Sequence, residues 1–317
     1  MNAPSRTAPA HRDPACRANR PIALAVALAA GLTAALVPPS PAAAQVPAPP
    51  GSIPFGVYDP PGDFAGTADV TIEHIFLPWE DVALETLFDA GAYAAARGRV
   101  LLVTLEPWTW VRSDRNTPDY LRRGLLSGRF DANVRAVCGV LGALDVPVTL
   151  RWGHEMEHAP GPFIWAGWPP EDYIAAFRRV TTLCREVAPE IAVMWSPLGE
   201  AGMEAYWPGD AHVDLIGLTV FGLQAGDRLW HGGDRSFAEI LAPRYERAAQ
   251  FDRPVVVAEL GYSGDADYVA AWDDEVRQMG ETFPDLVGVV YFNVPEVYPW
   301  PDGLGLPDWR VHHRVTD

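Results

Sequence analysis

The chain has 317 residues, 49% hydrophobic and 21% charged, the proportions of a folded soluble protein rather than a disordered one. Its formal net charge of −17 leaves no basic surface for a nucleic-acid backbone. All 24 basic residues are Arg. Chemistry that needs a lysine amine, such as a Schiff base, a pyridoxal-phosphate enzyme or a Walker phosphate loop, is therefore excluded. Twelve Trp in so acidic a chain point to a neutral ligand held by aromatic faces.

Residues 1–44 have the pattern of a secretory signal. Arg6, Arg12, Arg17 and Arg20 form a positive start, Ile22–Val37 an apolar run, and Ser40–Ala44 a small-residue cleavage site. The run is shorter than the roughly 20 residues that span a bilayer. The expectation is a cleaved leader and a secreted or periplasmic protein with no membrane segment after cleavage; an uncleaved anchor is the alternative. Residues 45–52 read as a stiff linker. Cys16 leaves with the leader. Cys138 and Cys184, both in amphipathic helical stretches, form one disulfide or stay two buried thiols.

From Ile53 onward, β-rich and helical runs alternate. Strands are predicted at Pro54–Tyr58 and Thr71–Phe76, then a helix at Val82–Arg97. A strand at Val100–Leu105, a helix at Phe130–Leu144, a strand at Val148–Trp152 and a helix at Pro170–Ala188 follow. The strand at Ile191–Trp195 leads into a long loop or single turn over Gly199–Pro208, then a strand at Val213–Leu218. The helix at Phe237–Phe251, the strand at Val255–Ala258, the helix at Ala266–Phe283 and the strand at Val287–Phe292 complete the set. The strands are near-continuous apolar runs, as parallel strands covered on both faces require. Eight such units in a chain of this length predict a single-domain α/β fold, a (β/α)8 barrel over 53–317, which needs about 250 residues. A doubly wound sheet is disfavoured because no Gly-rich fingerprint follows the first strand.

Barrel chemistry sits at the C-terminal ends of the strands. Here those ends carry Trp79, then Glu106 and Trp108, then Arg151, Trp152, His154 and Glu155. Trp195, Phe221, Glu259, Asn293 and Trp300 follow on the later strands. Glu259 closes the buried run Val255–Ala258, where a carboxylate must be paired or must react. Glu155 is its counterpart on the fourth strand. Two carboxylates facing one cavity are what glycoside hydrolysis needs, one to protonate the leaving oxygen and one to attack the anomeric carbon or activate water. Structural pairing of each Glu with a barrel Arg such as Arg151 is the alternative. His154-Glu155-Met156-Glu157-His158 also matches the zinc-peptidase pattern, which works only on a helix. A strand precedes it and Ala159-Pro160-Gly161-Pro162 follows, so a helix is not expected. Trp272 reads as core.

Arg151-Trp152-Gly153-His154-Glu155-Met156, continued by Phe163-Ile164-Trp165-Ala166-Gly167, resembles glycoside hydrolase family 26. Pro254–Gly261 resembles that family's nucleophile strand, and Trp195-Ser196-Pro197, Tyr206–Asp210 and Val213–Gly217 fit its order. The resemblance implies a retaining β-glycan hydrolase, most members being β-1,4-mannanases and others acting on β-1,3-xylan or mixed β-glucan. It implies Glu155 as acid/base, Glu259 as nucleophile, His154 and Trp165 against the sugar, Arg151 beneath the site, and no metal or organic cofactor. Trp79, Trp108, Trp152, Trp195, Phe221, Asn293, Trp300 and Glu106 complete the candidate substrate contacts. The expected partner is a polysaccharide, met by a monomer. The chain departs from the family pattern with Glu157 and His158 in place of Asn-Gly. It also has Thr219 for Asp and Phe221 for a Tyr that bonds the nucleophile. Losing that hydroxyl should raise the pKa of Glu259. A catalytically weakened carbohydrate-binding relative and a zinc peptidase are the competing readings.

Overall fold

The computed structural model describes residues 53–80, 82–109 and 116–316. The leader, the linker, Cys16 and Trp110 lie outside the described residues. All described residues fall in one compact unit. The strands are β1 (Phe55–Tyr58), β2 (Val70–Pro78), β3 (Val100–Glu106), β4 (Val148–Trp152), β5 (Ala192–Trp195), β6 (Leu215–Leu223), β7 (Val255–Ser263) and β8 (Leu286–Phe292). They pair in chain order, all parallel, and β8 closes onto β1. The predicted eight-stranded α/β barrel is therefore what the chain forms.

The helices are α1 (Thr86–Ala95), α2 (Pro118–Leu126), α3 (Asp131–Leu141), α4 (Pro170–Val187), α5 (Gln224–His231), α6 (Phe237–Ala249) and α7 (Ala266–Thr282). α4 starts on Pro170 with Glu171 and Asp172 in its first turn, which suits the helix dipole. α6 opens with a reciprocal Ser236/Glu239 capping box. Two helices are additions to the expected set. α2 is short and rich in Arg, capped by the Thr117 side chain. α5 begins directly after the last residue of β6, with no turn residues to announce it. The Gly199–Pro208 connection contains a single 3-10 turn, Met203–Tyr206.

Strand alternation divides the core into two populations. Outward residues such as Leu101, Val103 and Leu105 of β3, with Leu150, Val193 and Val257, join the helices in the main hydrophobic core. Inward residues Ile72, Leu102, Met194, Val256, Ala258 and Val290 plug the barrel floor. Gly217 stands on the inward face of β6 because a Cβ there would lie 2.6 Å from Met194 Sδ and 2.7 Å from Ser196 Oγ. Cys138 of α3 and Cys184 of α4 are joined by a disulfide, with Cα atoms 5.2 Å apart, which decides between the two expectations for that pair.

The same alternation corrects three candidate substrate contacts. Arg151 faces into the barrel, so Trp152 faces out, packed on Tyr173 and Phe177 of α4. Trp79 packs on Phe130 and Trp152. Trp195 packs on Trp207 and Phe251. All three are buried between barrel and helices, away from the mouth.

β6 and β7 run five residues past their expected ends at Leu218 and Ala258, to Leu223 and Ser263. Within β7 the register slips. Leu218 pairs with Val257 but Thr219 pairs with Glu259, which makes Ala258 an extra residue. Such a bulge breaks the alternation. Ala258 packs with the floor residues, and Glu259, next in the chain, also turns inward to meet Arg151.

Candidate active site

Above the apolar floor lies a buried polar layer: His74, Thr104, Arg151 and Ser196. Arg151 is its centre. Its Nε donates to Ser196 Oγ at 2.8 Å, and its Nη1 donates to Thr104 Oγ1 at 3.1 Å and to Glu259 Oε1 at 2.7 Å. His74 Nε2 lies 2.7 Å from Thr104 Oγ1. The guanidinium fork thus ties β3, β4, β5 and β7 together beneath the mouth.

Glu259 is 6% exposed. Burial is the largest influence on its carboxyl and pushes it up to about 8; the charge of Glu155 adds to this, and Arg151 opposes it. The expected rise in the Glu259 pKa is present, with desolvation as its main cause.

Glu155 follows Gly153 by two residues, and both have left-handed backbones, φ +54° and +57° respectively. That conformation is uncommon outside glycine and is concentrated at functional sites. The Glu155 N–H donates to the Ser196 carbonyl at 2.7 Å, which anchors the turn to the end of β5. The Thr219 hydroxyl donates to Glu155 Oε1 at 2.7 Å. Since Thr219 pairs with Glu259 across β6 and β7, one rung of the barrel connects the two carboxylates. Glu106, at the end of β3, is a third carboxyl of this mouth. Burial pushes it up to about 7, a Trp108 hydrogen bond and Arg151 pull it down, and Glu155 pushes it up.

His154 is 2% exposed, ringed by Phe76, Phe163 and Trp165. Burial holds its imidazole well below the usual range, so it is neutral. The Trp165 indole donates to the His154 carbonyl at 2.6 Å and stacks on Phe163 with centroids 4.7 Å apart. Trp108 meets Trp165 edge-on. Trp165 and Trp108 are buried, and half-buried Phe163 stands in front of them. The two indoles back the aromatic wall, and Phe163 supplies its open surface.

Half-buried Tyr58, Phe76, Phe292 and Phe221 extend this wall around the mouth. Of these, only Phe221 emerges from the sequence reading. The signal is there: each occupies an inward position near the end of its strand, two residues beyond Gly56, His74, Val290 and Thr219. Phe221 packs against Trp309, and a Cβ on Gly261 would touch both rings. Trp309, in the segment after β8, also escapes the sequence reading. Trp300 is half-buried and packs on Trp309 and Trp230.

Asn293 is not a sugar contact. Its amide donates to Asp59 at 2.6 Å and Asp63 at 2.9 Å, and its oxygen accepts from the Val311 N–H at 2.7 Å. Fully buried, it clamps the β1 loop to the C-terminal segment. Glu157 is also committed to the protein. Its Oε1 accepts from the N–H groups of Gly199 and Glu200 at 2.8 and 3.3 Å, joining the β4 and β5 loops, and burial raises its pKa.

No helix forms over residues 153–162. The spacing of His154 and His158 therefore never places both imidazoles on one face; one is buried and the other exposed. The zinc-peptidase reading loses the geometry it requires. Among the described residues, no group of three His, Cys, Asp or Glu side chains is arranged to hold a metal.

No family model matches the chain. Over 109 residues it is 34% identical to a β-1,3-xylanase from Alcaligenes sp., covering 32% of this chain and 22% of that protein. Over 243 residues it is 24% identical to endoglucanase H of Acetivibrio thermocellus, covering 72% of this chain and 25% of that protein. Among solved structures, it superposes on a modular endo-β-1,4-mannanase of glycoside hydrolase family 26 from Cellulomonas fimi. The TM-score is 0.59 at 18% identity, covering 76% of this chain and 64% of that one. The resemblance to family 26 is borne out. At 18% identity the likeness to the mannanase is one of fold. The chain spans about a quarter or less of the length of the curated relatives it matches.

Proposed function

We propose that the chain is a retaining β-glycoside hydrolase of family 26 type, with Glu259 as nucleophile and Glu155 as acid/base. The observation that carries this reading is the rung joining the two carboxylates through Thr219, over a buried Arg151 that contacts Glu259. In the first step the ionised Glu259 attacks the anomeric carbon, and the bond to the leaving oxygen breaks as Glu155 transfers its proton to that oxygen. In the second step Glu155 takes a proton from water, whose oxygen displaces Glu259 and restores the starting configuration. Arg151 favours the ionised form of Glu259 and re-pairs with it when it departs.

The substrate is a neutral β-linked glycan, since the acidic chain disfavours acidic polysaccharides. β-1,4-Mannan is the first candidate from the family resemblance. β-1,3-Xylan is the second reading, favoured by the 34% identity to a protein of that named activity. Export is part of the proposal, supported by the leader pattern and by the Cys138–Cys184 bridge.

The test is product analysis on mannan, β-1,3-xylan and β-glucan, with anomeric configuration followed by NMR. Retention is expected on one of them, and Glu155→Ala and Glu259→Ala should each abolish it while the protein stays folded. Near wild-type turnover in either variant removes that residue from its role. Binding without cleavage would favour the weakened relative, a reading motivated by Phe221, which offers Glu259 no hydroxyl.

A further inference from the structure

Trp230 is the most exposed Trp among the described residues, at 39%. It lies on α5, which starts directly after the end of β6, and so at the mouth side of the barrel. Its ring stacks on that of Trp300, from the segment after β8, with centroids 6.0 Å apart and planes 20° from parallel. Both indoles are held in place. Trp230 Nε1 donates to Asp302 at 2.8 Å, and Trp300 Nε1 donates to Glu296 at 3.4 Å. The backbone N–H of Trp300 also donates to the Gly305 carbonyl at 2.7 Å, fixing its turn.

This pair is continuous with the catalytic mouth. Trp300 contacts Trp309 at 5.4 Å, and Trp309 contacts Phe221 at 4.8 Å, centroid to centroid. Phe221 pairs with Gly261, two residues beyond Glu259. Tyr298, whose pKa is raised by burial and by the charges of Glu106 and Glu296, lies on the same segment and brings it close to the third carboxyl of the mouth.

We propose that Trp230, backed by Trp300, forms an aromatic platform that binds a pyranose ring of a neutral β-glycan where the chain leaves the catalytic mouth. The proposal rests on the hydrolase reading for its ligand class. With the indole N–H groups already donating to carboxylates, the exposed Trp230 ring offers a flat apolar face with no unmet polar demand. The C–H face of a β-linked sugar fits such a surface. Rings fixed before binding lose little further freedom when it arrives. Asp302 and Glu296 at its edge accept hydroxyl hydrogen bonds and repel an anionic polymer.

The experiment uses the full chain in two formats. The first is retardation in native gels containing mannan, β-1,3-xylan or β-glucan, with Glu259→Ala preventing cleavage. The second is kcat/KM on the polymer relative to an aryl glycoside of a single sugar. Adding W230A should weaken retardation by roughly tenfold in affinity, about 1.4 kcal/mol, and should lower the polymer-to-glycoside ratio by a similar factor. W230F, which keeps a ring, should fall between W230A and the parent. If none of the three glycans retards the parent protein, or if W230A matches it in both formats, the platform is overturned. Retardation that is lost in W230A without any hydrolysis by the wild-type protein would uphold the platform and overturn the enzyme reading. If W230A instead converts a dimer to a monomer with retardation unchanged, the surface belongs to a second copy of the chain and the proposal fails.

Discussion

Replacing Arg151 with Met removes the cation that holds Glu259 through a hydrogen bond. Burial and Glu155 push the Glu259 carboxyl up, and Arg151 pulls it down. Without Arg151 the carboxyl moves higher still. A hydrogen bond to a charged group contributes about 1.5–3 kcal/mol, and each 1.36 kcal/mol is a factor of about ten in ionisation. The ionised fraction at pH 7 should therefore fall roughly 10- to 100-fold, and kcat/KM with it. Attack requires the carboxylate, so activity is lost as pH falls through the Glu259 pKa. The acidic limb of the pH profile should move up by about one to two pH units relative to the wild type.

Stability responds in the same direction. A carboxyl raised in the folded state from its ordinary 4.5 to about 8 favours folding below the lower value, and that contribution is lost as pH rises through the upper one. In Arg151→Met the loss should deepen as pH rises past about 8, because the wild type's contribution has levelled off there while the variant, with its higher Glu259 pKa, goes on losing stability. Breaking a buried pair costs about 3–5 kcal/mol; protonation of Glu259 should hold the loss near the lower figure at pH 7. Arg151→Lys restores the charge without the fork to Thr104 and Ser196 and should recover the limb only in part. The assays are kcat/KM from pH 5 to 10 and denaturant unfolding at pH 6 and 9. A Met variant with the wild-type limb and wild-type turnover at pH 7 would refute the positioning role of Arg151.

Thr219→Val removes the hydroxyl that donates to Glu155 while keeping the branched shape, and should lower kcat/KM about five- to tenfold, the value of one hydrogen bond near 1 kcal/mol; steady-state kinetics on a single-sugar glycoside reads this. Replacing both Cys138 and Cys184 with Ser opens a loop whose ends are 46 residues apart and should lower stability by about 4 kcal/mol on the chain-entropy model. The check is denaturant unfolding with and without reductant, the wild type alone responding to it. Asn293→Ala leaves the Val311 N–H without its acceptor, takes one donor from each of Asp59 and Asp63, and should destabilise by about 1–3 kcal/mol. Its readout is the unfolding midpoint, and a change confined to KM would instead return Asn293 to the sugar.

Much of the barrel is legible in the sequence because parallel strands covered on both faces leave continuous apolar runs. Reading the first three residues after each run finds Glu106, Glu155 and Glu259, since a carboxylate at the edge of such a run must be paired or must react. The same procedure misplaces Trp79, Trp152 and Trp195. A strand end supplies both an inward and an outward residue, and only counting positions against Arg151 separates them. Asn293 fails for a different reason: its partners Asp59, Asp63 and Val311 come from distant parts of the chain.

Glu259 shows where pattern and geometry diverge. Strict alternation through β7 makes Ala258 inward and Glu259 outward, among the helices. A reading based on alternation alone would therefore discard the proposed nucleophile. The extra residue at Ala258 reverses the alternation, and nothing in Val255–Gly261 announces it. What stabilises the inward position is long-range: Arg151, 108 positions earlier, supplies the hydrogen bond and the charge that a buried carboxylate needs. The bulge and the guanidinium are thus parts of one device. Shifting β7 by one residue would leave Arg151 buried without its acid and Glu259 in an apolar layer without its base, so the register of β7 and the chemistry of the mouth are fixed together.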